Sequence, residues 1–204
     1  MSTKVRTRFP KTITLKGRPL QLRLLDKADE TALLDYFRRL PVDERQMLKE
    51  DVTNPRVVKA WCANIDFKSV LPVLAFDGPK VVANITLHRT RGGWSAHVAR
   101  MRVTTDPSYR RIGLGTTLVK ELLDVASALG VAIVDAEVMS HQKEAQRFLE
   151  RLDFVPVATL PHHVVDLTRQ PHDLSVYSRT LTTVEKLSPD AWKLPEEVDE
   201  GGGG

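Results

Sequence analysis

The sequence has one cysteine, Cys62. That excludes an internal disulfide and, with no second thiol beside it, a zinc knuckle; packing in a core is the reading left to it. Aromatic residues make up only 6% of the chain, and the basic N-terminus has Phe9 as its one aromatic. The interleaving of aromatics and bases that grips nucleic acid is therefore missing, and a nucleic-acid partner is not expected. No apolar run approaches the roughly 18 residues of a membrane span, and Met1-Ser2-Thr3-Lys4-Val5-Arg6 leads into no signal-like hydrophobic stretch. The expectation is a cytoplasmic protein with no membrane partner. Acids are absent from the first 18 residues, which carry Lys4, Arg6, Arg8, Lys11, Lys16 and Arg18.

What remains describes a folding domain. With 204 residues, 42% hydrophobic and 27% charged, the chain fits one layered domain with tails. The formal charge of +4 and pI of about 9.3 are unevenly placed, since Val184 to Glu200 holds six acids against two lysines. We therefore divide the chain into a basic arm at 1–18, a domain at 19–182 and an acidic tail at 183–204 ending in a glycine run.

Periodicity orders the domain. Pro19 to Leu25 alternates as a strand, and Asp26 to Asp29 offers caps for a helix from Glu30 to Arg39 that Pro41 stops. Val42 to Lys49 and Pro55 to Asn64 read as short helices. Val70 to Phe76, the turn Asp77-Gly78-Pro79 and Val81 to His88 read as a hairpin, followed by a third strand from Trp94 to Thr104. Leu114, Leu118, Leu122, Val125, Ala126 and Leu129 then recur at helical spacing up to Gly130. A strand at Val131 to Val138, a helix at Lys143 to Leu152, and strands at Phe154 to Ala158 and Leu174 to Leu181 complete the order. The fold class expected is α/β: a mixed, mostly antiparallel central sheet flanked by helices.

The segment that carries chemistry runs Val103-Thr104-Thr105-Asp106-Pro107-Ser108-Tyr109-Arg110-Arg111-Ile112-Gly113-Leu114-Gly115-Thr116. A strand, a loop and a helix start in this order direct unsatisfied N–H groups and the positive end of a helix dipole at one point, which is an anion site. Gly113 and Gly115 allow close approach of phosphate oxygens, and Arg110 and Arg111 add charge. The spacing lacks the Lys-Ser/Thr of a P-loop and the third glycine of a dinucleotide fingerprint.

Arg110, Gly113 and Gly115 fill the signature Arg/Gln-x-x-Gly-x-Gly/Ala, and with Asp106-Pro107-Ser108-Tyr109-Arg110 ahead and Gly130 to Phe154 behind, the chain resembles the GNAT superfamily of N-acetyltransferases over residues 19 to 182. The resemblance implies acetyl-CoA as cosubstrate, with the backbone of Val103, Thr104 and Thr105 pairing with pantetheine. Arg110, Arg111, Ile112, Gly113, Leu114, Gly115 and Thr116 would hold the pyrophosphate. Gln142, where an asparagine is common, would be the remaining cofactor-side residue.

Acetyl transfer needs a neutral amine and hence a base. Glu137, in Ala136-Glu137-Val138, resembles a base found in some ribosomal-protein acetyltransferases and is the first candidate; a surface acid in an ion pair is its bland counterpart. His97, on the strand leading to the loop, is the second, and His141 the third. Three positions depart from the family pattern: Leu149, where many members carry a proton-donating tyrosine; Asp153, where glycine is usual before Phe154; and Gln142. Tyr109 or water would then return the proton. Asp166, His162, His163 and His172 cluster in sequence, but adjacent histidines diverge on an extended backbone and no metal is expected. Residues 40–68 and 158–173 are expected to shape the acceptor pocket. The acceptor amine is not named by the sequence, and a homodimer is an open expectation. A CoA-binding regulatory module without catalysis is the competing reading.

Overall fold

The computed structural model describes residues 5, 7–46, 48–90 and 92–183. Its eight strands form a single sheet in the order β1-β2-β3-β4-β5-β6-β8-β7. They are β1 (Lys11–Leu15), β2 (Arg18–Leu24), β3 (Val70–Asp77), β4 (Lys80–Arg89), β5 (Val98–Thr105), β6 (Ile133–Met139), β7 (Val155–Val165) and β8 (Pro171–Thr180). Every neighbouring pair is antiparallel except β5 and β6. The α-helices are α1 (Glu30–Arg39), α2 (Val42–Gln46), α3 (Pro55–Ala63), α4 (Leu114–Ala128) and α5 (Lys143–Glu150). The expected α/β class, with a mostly antiparallel sheet between helices, is what the chain adopts.

Strand alternation sends successive side chains to opposite faces. On β4 to β6, Ala83, Ile85, Leu87, Ala99, Met101, Val134 and Ala136 join Leu114, Leu118 and Leu122 of α4 in the larger core. The opposite face is apolar only at the β3 end, where Leu74 and Phe76 meet Leu33, Tyr36 and Phe37 of α1 and Val58 and Cys62 of α3. Along β4 to β6 that face instead carries Asn84, Thr86, His88, Arg100, Arg102, Thr104, Asp135 and Glu137. The single cysteine is buried, and burial pushes its thiol up to about 11.

The helix expected at 30–39 begins as its acids suggest. Asp26 and Asp29 form a capping box around a 3-10 turn at Lys27–Asp29, and Arg23 grips Asp29 through bonds of 2.6 Å to each carboxylate oxygen. Gly130, at φ 77°, ends α4 where the periodicity stops.

Three expectations need correction. The sheet begins at Lys11 rather than Pro19, because β1 pairs with β2 across the Lys16-Gly17 turn. Val5 and Phe9 are buried, and Arg8 and Lys11 pair with Asp124 and Glu121 of α4 at 2.9 and 2.5 Å, so the described part of the basic arm is built into the domain. The strand expected from Trp94 starts at Val98. Turn bonds from Ala96 to Gly93 and from Val98 to Ser95 occupy the preceding segment and leave Trp94 89% exposed. Finally, the strands expected at Phe154 to Ala158 and Leu174 to Leu181 extend into 158–173, which forms most of the β7–β8 hairpin, with the Asp166 carboxylate holding its tip by accepting from Thr168, Gln170 and His172. The acidic tail beyond residue 183 lies outside the described residues.

Candidate functional site

Parallel pairing of β5 with β6 covers Val98 to Met101 against Ile133 to Ala136 and then stops. Beyond that point the strands part, although β5 stays paired with β4 as far as Thr105 and β6 with β8 as far as Met139. One backbone edge of Arg102 to Thr105 therefore faces a gap. An extended ligand could add to that edge as a strand does, through main-chain hydrogen bonds that place no demand on side chains. Val103, Thr104 and Thr105 all lie along it. Tyr36, wholly buried in α1, donates to Thr104 Oγ1 at 2.8 Å and fixes the far face of the strand.

The loop after β5 is anchored from beneath. Asp106, 3% exposed, accepts from the Ser108 N–H at 3.0 Å and pairs with Arg39 at 3.2 Å and Lys80 at 3.3 Å. Burial opposes its ionisation, but these donors and cations prevail and hold the carboxyl below its ordinary range. The Tyr109 hydroxyl donates to Asp77 at 2.6 Å, and that bond, with burial, raises its pKa. Asp106 and Tyr109 are thus the fasteners of the loop, and Tyr109 is committed to Asp77 rather than available to return a proton.

Past this anchor the backbone turns left-handed twice, at Arg111 (φ 59°) and at Gly113 (φ 91°), before α4 begins. The first hydrogen bond of the helix runs from the Thr117 N–H to the Gly113 carbonyl, and no side chain caps the end. The N–H groups of Leu114, Gly115 and Thr116 consequently point outward at the positive end of the helix, as an anion site requires. A Cβ at Gly115 would stand 3.4 Å from the Phe148 ring, in touch but without collision, which suits a position where the signature accepts glycine or alanine. Arg110 differs from expectation: its guanidinium pairs with Glu44 of α2 at 2.6 Å and donates to the Thr105 carbonyl at 3.2 Å. Arg111 has no ion pair among the described residues and is the freer cation. These residues fit a pyrophosphate.

Glu137 is the first residue of β6 beyond the paired stretch and stands level with Arg102 across the opening. Its side chain is largely covered, with Lys49 at 2.7 Å on one oxygen and Arg100 at 2.8 Å on the other. His97 is not brought to it. That residue precedes β5, its carbonyl accepting from Ala132 and Ile133 at the closed end of the strand pair. Glu137 lies five residues further along, roughly 16 Å at strand rise. His141 follows β6 and packs its ring against His172 at 4.9 Å. Gln142 accepts from the Met139 N–H at 3.0 Å, tying down the end of β6 beside the gap. Leu149 is a core residue at 3% exposure, so nothing polar replaces the family's tyrosine there. Asp153, at φ 60°, sits in the backbone conformation that favours glycine, which accounts for the usual residue at that position.

The sequence reading missed the cationic residues around Glu137. His88 lies opposite Arg100 in the β4–β5 ladder and hydrogen-bonds Thr86 at 3.0 Å. Burial, with the fields of Arg102, Lys49 and Arg100, pushes its pKa down to about 4, so it is neutral near pH 7. The only signal in the sequence is the alternation Arg100-x-Arg102 on a strand. Lys49 is 88 residues from Glu137 and could not have been placed.

A family model described as the acetyltransferase (GNAT) family matches residues 31–154. Ribosomal-protein-S5-alanine acetyltransferase from Vibrio fischeri superposes with a TM-score of 0.72 at 15% identity, covering 90% of this chain and 99% of that one. YncA of Salmonella typhimurium, solved with its cofactor acetyl-CoA, gives 0.68 at 18% identity over 83% and 98%. The GNAT domain of PAT from S. lividans gives 0.71 at 13% over 85% and 98%. At such identities the likeness is one of fold. No curated protein sequence matches, and among the described residues no helix is long and apolar enough to cross a membrane. The matched family model, the uncapped helix start and the parted strands lead to one assignment: the chain belongs to the GNAT acetyltransferase family.

Proposed function

We propose that this protein transfers the acetyl group of acetyl-CoA directly to a primary amine. The observation that carries the reading is the convergence on one gap of a free strand edge, an uncapped helix start and a carboxylate, Glu137. Bound acetyl-CoA would supply a thioester, an activated acyl donor. The edge of Val103 to Thr105 would hold its extended arm by main-chain bonds, and the N–H groups from Arg111 to Thr116 its pyrophosphate. A β5 N–H facing the gap would stabilise charge developing on the carbonyl oxygen.

Glu137 would receive the proton of the acceptor ammonium, directly or through a water, leaving the nitrogen pair free to bond to the acetyl carbon as the carbon–sulfur bond breaks. The departing sulfur takes a proton from solvent, since position 149 offers none. Lys49 and Arg100, 45% and 47% exposed at their side chains, are the cations an arriving ammonium would have to displace.

Glu137→Gln keeps the shape and removes the base. Release of free thiol is expected to fall about 100-fold or more with acetyl-CoA affinity unchanged. A specific observation favours the competing reading of a CoA-binding regulatory module, namely that both Glu137 oxygens are already held by cations while Leu149 lacks a hydroxyl. Unchanged thiol release in Glu137→Gln would exclude Glu137 as the base, and acetyl-CoA binding without turnover of any amine would favour the module.

A further inference from the structure

Arg102 is an exposed guanidinium on the floor of the acceptor side, yet it has no ion pair among the described residues. Its neighbours explain why. Glu137, level with it across the gap, is taken by Lys49 and Arg100; Asp135, beside Arg100, accepts from Ser178; Glu50 reaches Arg102 only through its field. Desolvation lowers the Arg102 pKa, and the field of Arg100 adds to this, against the opposing fields of Glu137 and Glu50. An exposed cation without a carboxylate of its own, level with a carboxylate that would accept an ammonium, is complementary to a molecule bearing both charges.

We propose that the acceptor is a small amine that also carries an anion, a carboxylate or a phosphorus oxyanion, a few bonds from its nitrogen. The anion binds Arg102, a planar fork suited to such groups, and the ammonium binds Glu137. This rests on the acetyltransferase reading and adds the substrate class. It also assigns Arg102 a role in selecting the acceptor rather than in the chemistry, and it accounts for the polar sheet face along β4 to β6.

The test is calorimetric binding in the presence of CoA, beside thiol release from acetyl-CoA, with matched pairs: L-methionine and L-methioninamide, L-glutamate and its diamide, 2-aminoethylphosphonate and ethanolamine. An acidic tripeptide amide supplies the same anion from a protein-like source. The anionic member of at least one pair is expected to bind at least about tenfold tighter than its neutral partner. Arg102→Gln should erase that ratio by raising KM with kcat little changed, and Arg102→Lys should keep part of it. Equal binding within every pair, binding by neither member of any pair, or a ratio that survives Arg102→Gln overturns the proposal, as does preference for the tripeptide over all the small acids. Thiol release with neutral amines in those cases would leave acetyl transfer itself standing. Failure of the protein to bind acetyl-CoA would remove that reading and this proposal together.

Discussion

Gly113 offers a test in which backbone strain and charge can be separated. It immediately precedes α4 at φ 91° and ψ 1°, and an added Cβ would meet no atom within 4 Å. Gly113→Ala therefore introduces no collision, only the cost of holding an L-residue in the left-handed region, about 1–2 kcal/mol. Gly113→Asp carries no greater backbone cost, because aspartate tolerates that region better than alanine, but it places a carboxylate where the helix start awaits phosphate. At a separation of about 6 Å and an effective dielectric constant of about 20, one carboxylate repels one phosphate charge by about 3 kcal/mol. Salt at physiological strength, with a screening length of about 8 Å, reduces this to about 1.5 kcal/mol. Acetyl-CoA titrated calorimetrically into the two variants should therefore bind Gly113→Asp at least about tenfold more weakly than Gly113→Ala. The gap should widen as salt is lowered. Equal affinities at low salt would refute the placement of the pyrophosphate at this helix start.

Three further outcomes follow from the burial of particular groups. His88, depressed to about 4 against an ordinary 6.5, stays neutral in the folded state while the unfolded chain takes up a proton below 6.5. Acidification from pH 6.5 to 4 should therefore lower stability, and His88→Asn should flatten that slope in urea titrations. Asp106, held below its ordinary range, contributes stability that is present above about pH 4 and lost as pH falls through its folded value. Asp106→Asn should cost about 2 kcal/mol at pH 7, measured by urea unfolding, and much less below pH 3. Leu149→Tyr restores the family's residue in sequence only: the site is core, so overpacking should cost about 1–3 kcal/mol by thermal unfolding. Thiol release should not increase; an increase would show that position 149 reaches the sulfur.

Where local physics decides an element, the sequence revealed it. The α1 start was visible because Asp26 and Asp29 box the 3-10 turn that leads into it, the β3–β4 hairpin because Asp77-Gly78-Pro79 can only turn, and α4 because its apolar stripe repeats at helical spacing up to Gly130. Strand β7 is legible in the sequence only to Ala158, because almost none of its residues is buried and no alternation marks the rest. An edge strand tolerates prolines and bulges, and β7 has register shifts between Pro156 and Ala158 and between Leu160 and Val164. Strand β1 was hidden in a run of bases whose charges are balanced by Glu121 and Asp124, more than a hundred residues away.

The two halves of the site differ in legibility for a chemical reason. The proposed cofactor half would work through main chain: the Asp106 and Tyr109 anchors, the left-handed turn at Gly113 and the outward N–H groups lie within a dozen residues, so one contiguous motif contains them. The proposed acceptor half would work through side chains brought together by sheet register. His88 reaches Arg100 only because β4 and β5 pair in one register, and Arg102 faces Glu137 only because the parallel pairing ends at Met101 and Ala136. A shift of one residue in either ladder would turn these groups toward the core under α4. The same register explains why His97, attractive as a base by its place in the sequence, falls at the closed end of β5, whereas His88, with nothing in the sequence to mark it, stands opposite Arg100, one of the cations that hold Glu137. Its neutrality in turn follows from burial first and then from the three cations around it, Arg102 among them. Selectivity for the acceptor should thus change with substitutions on β4 to β6 that leave the phosphate loop untouched.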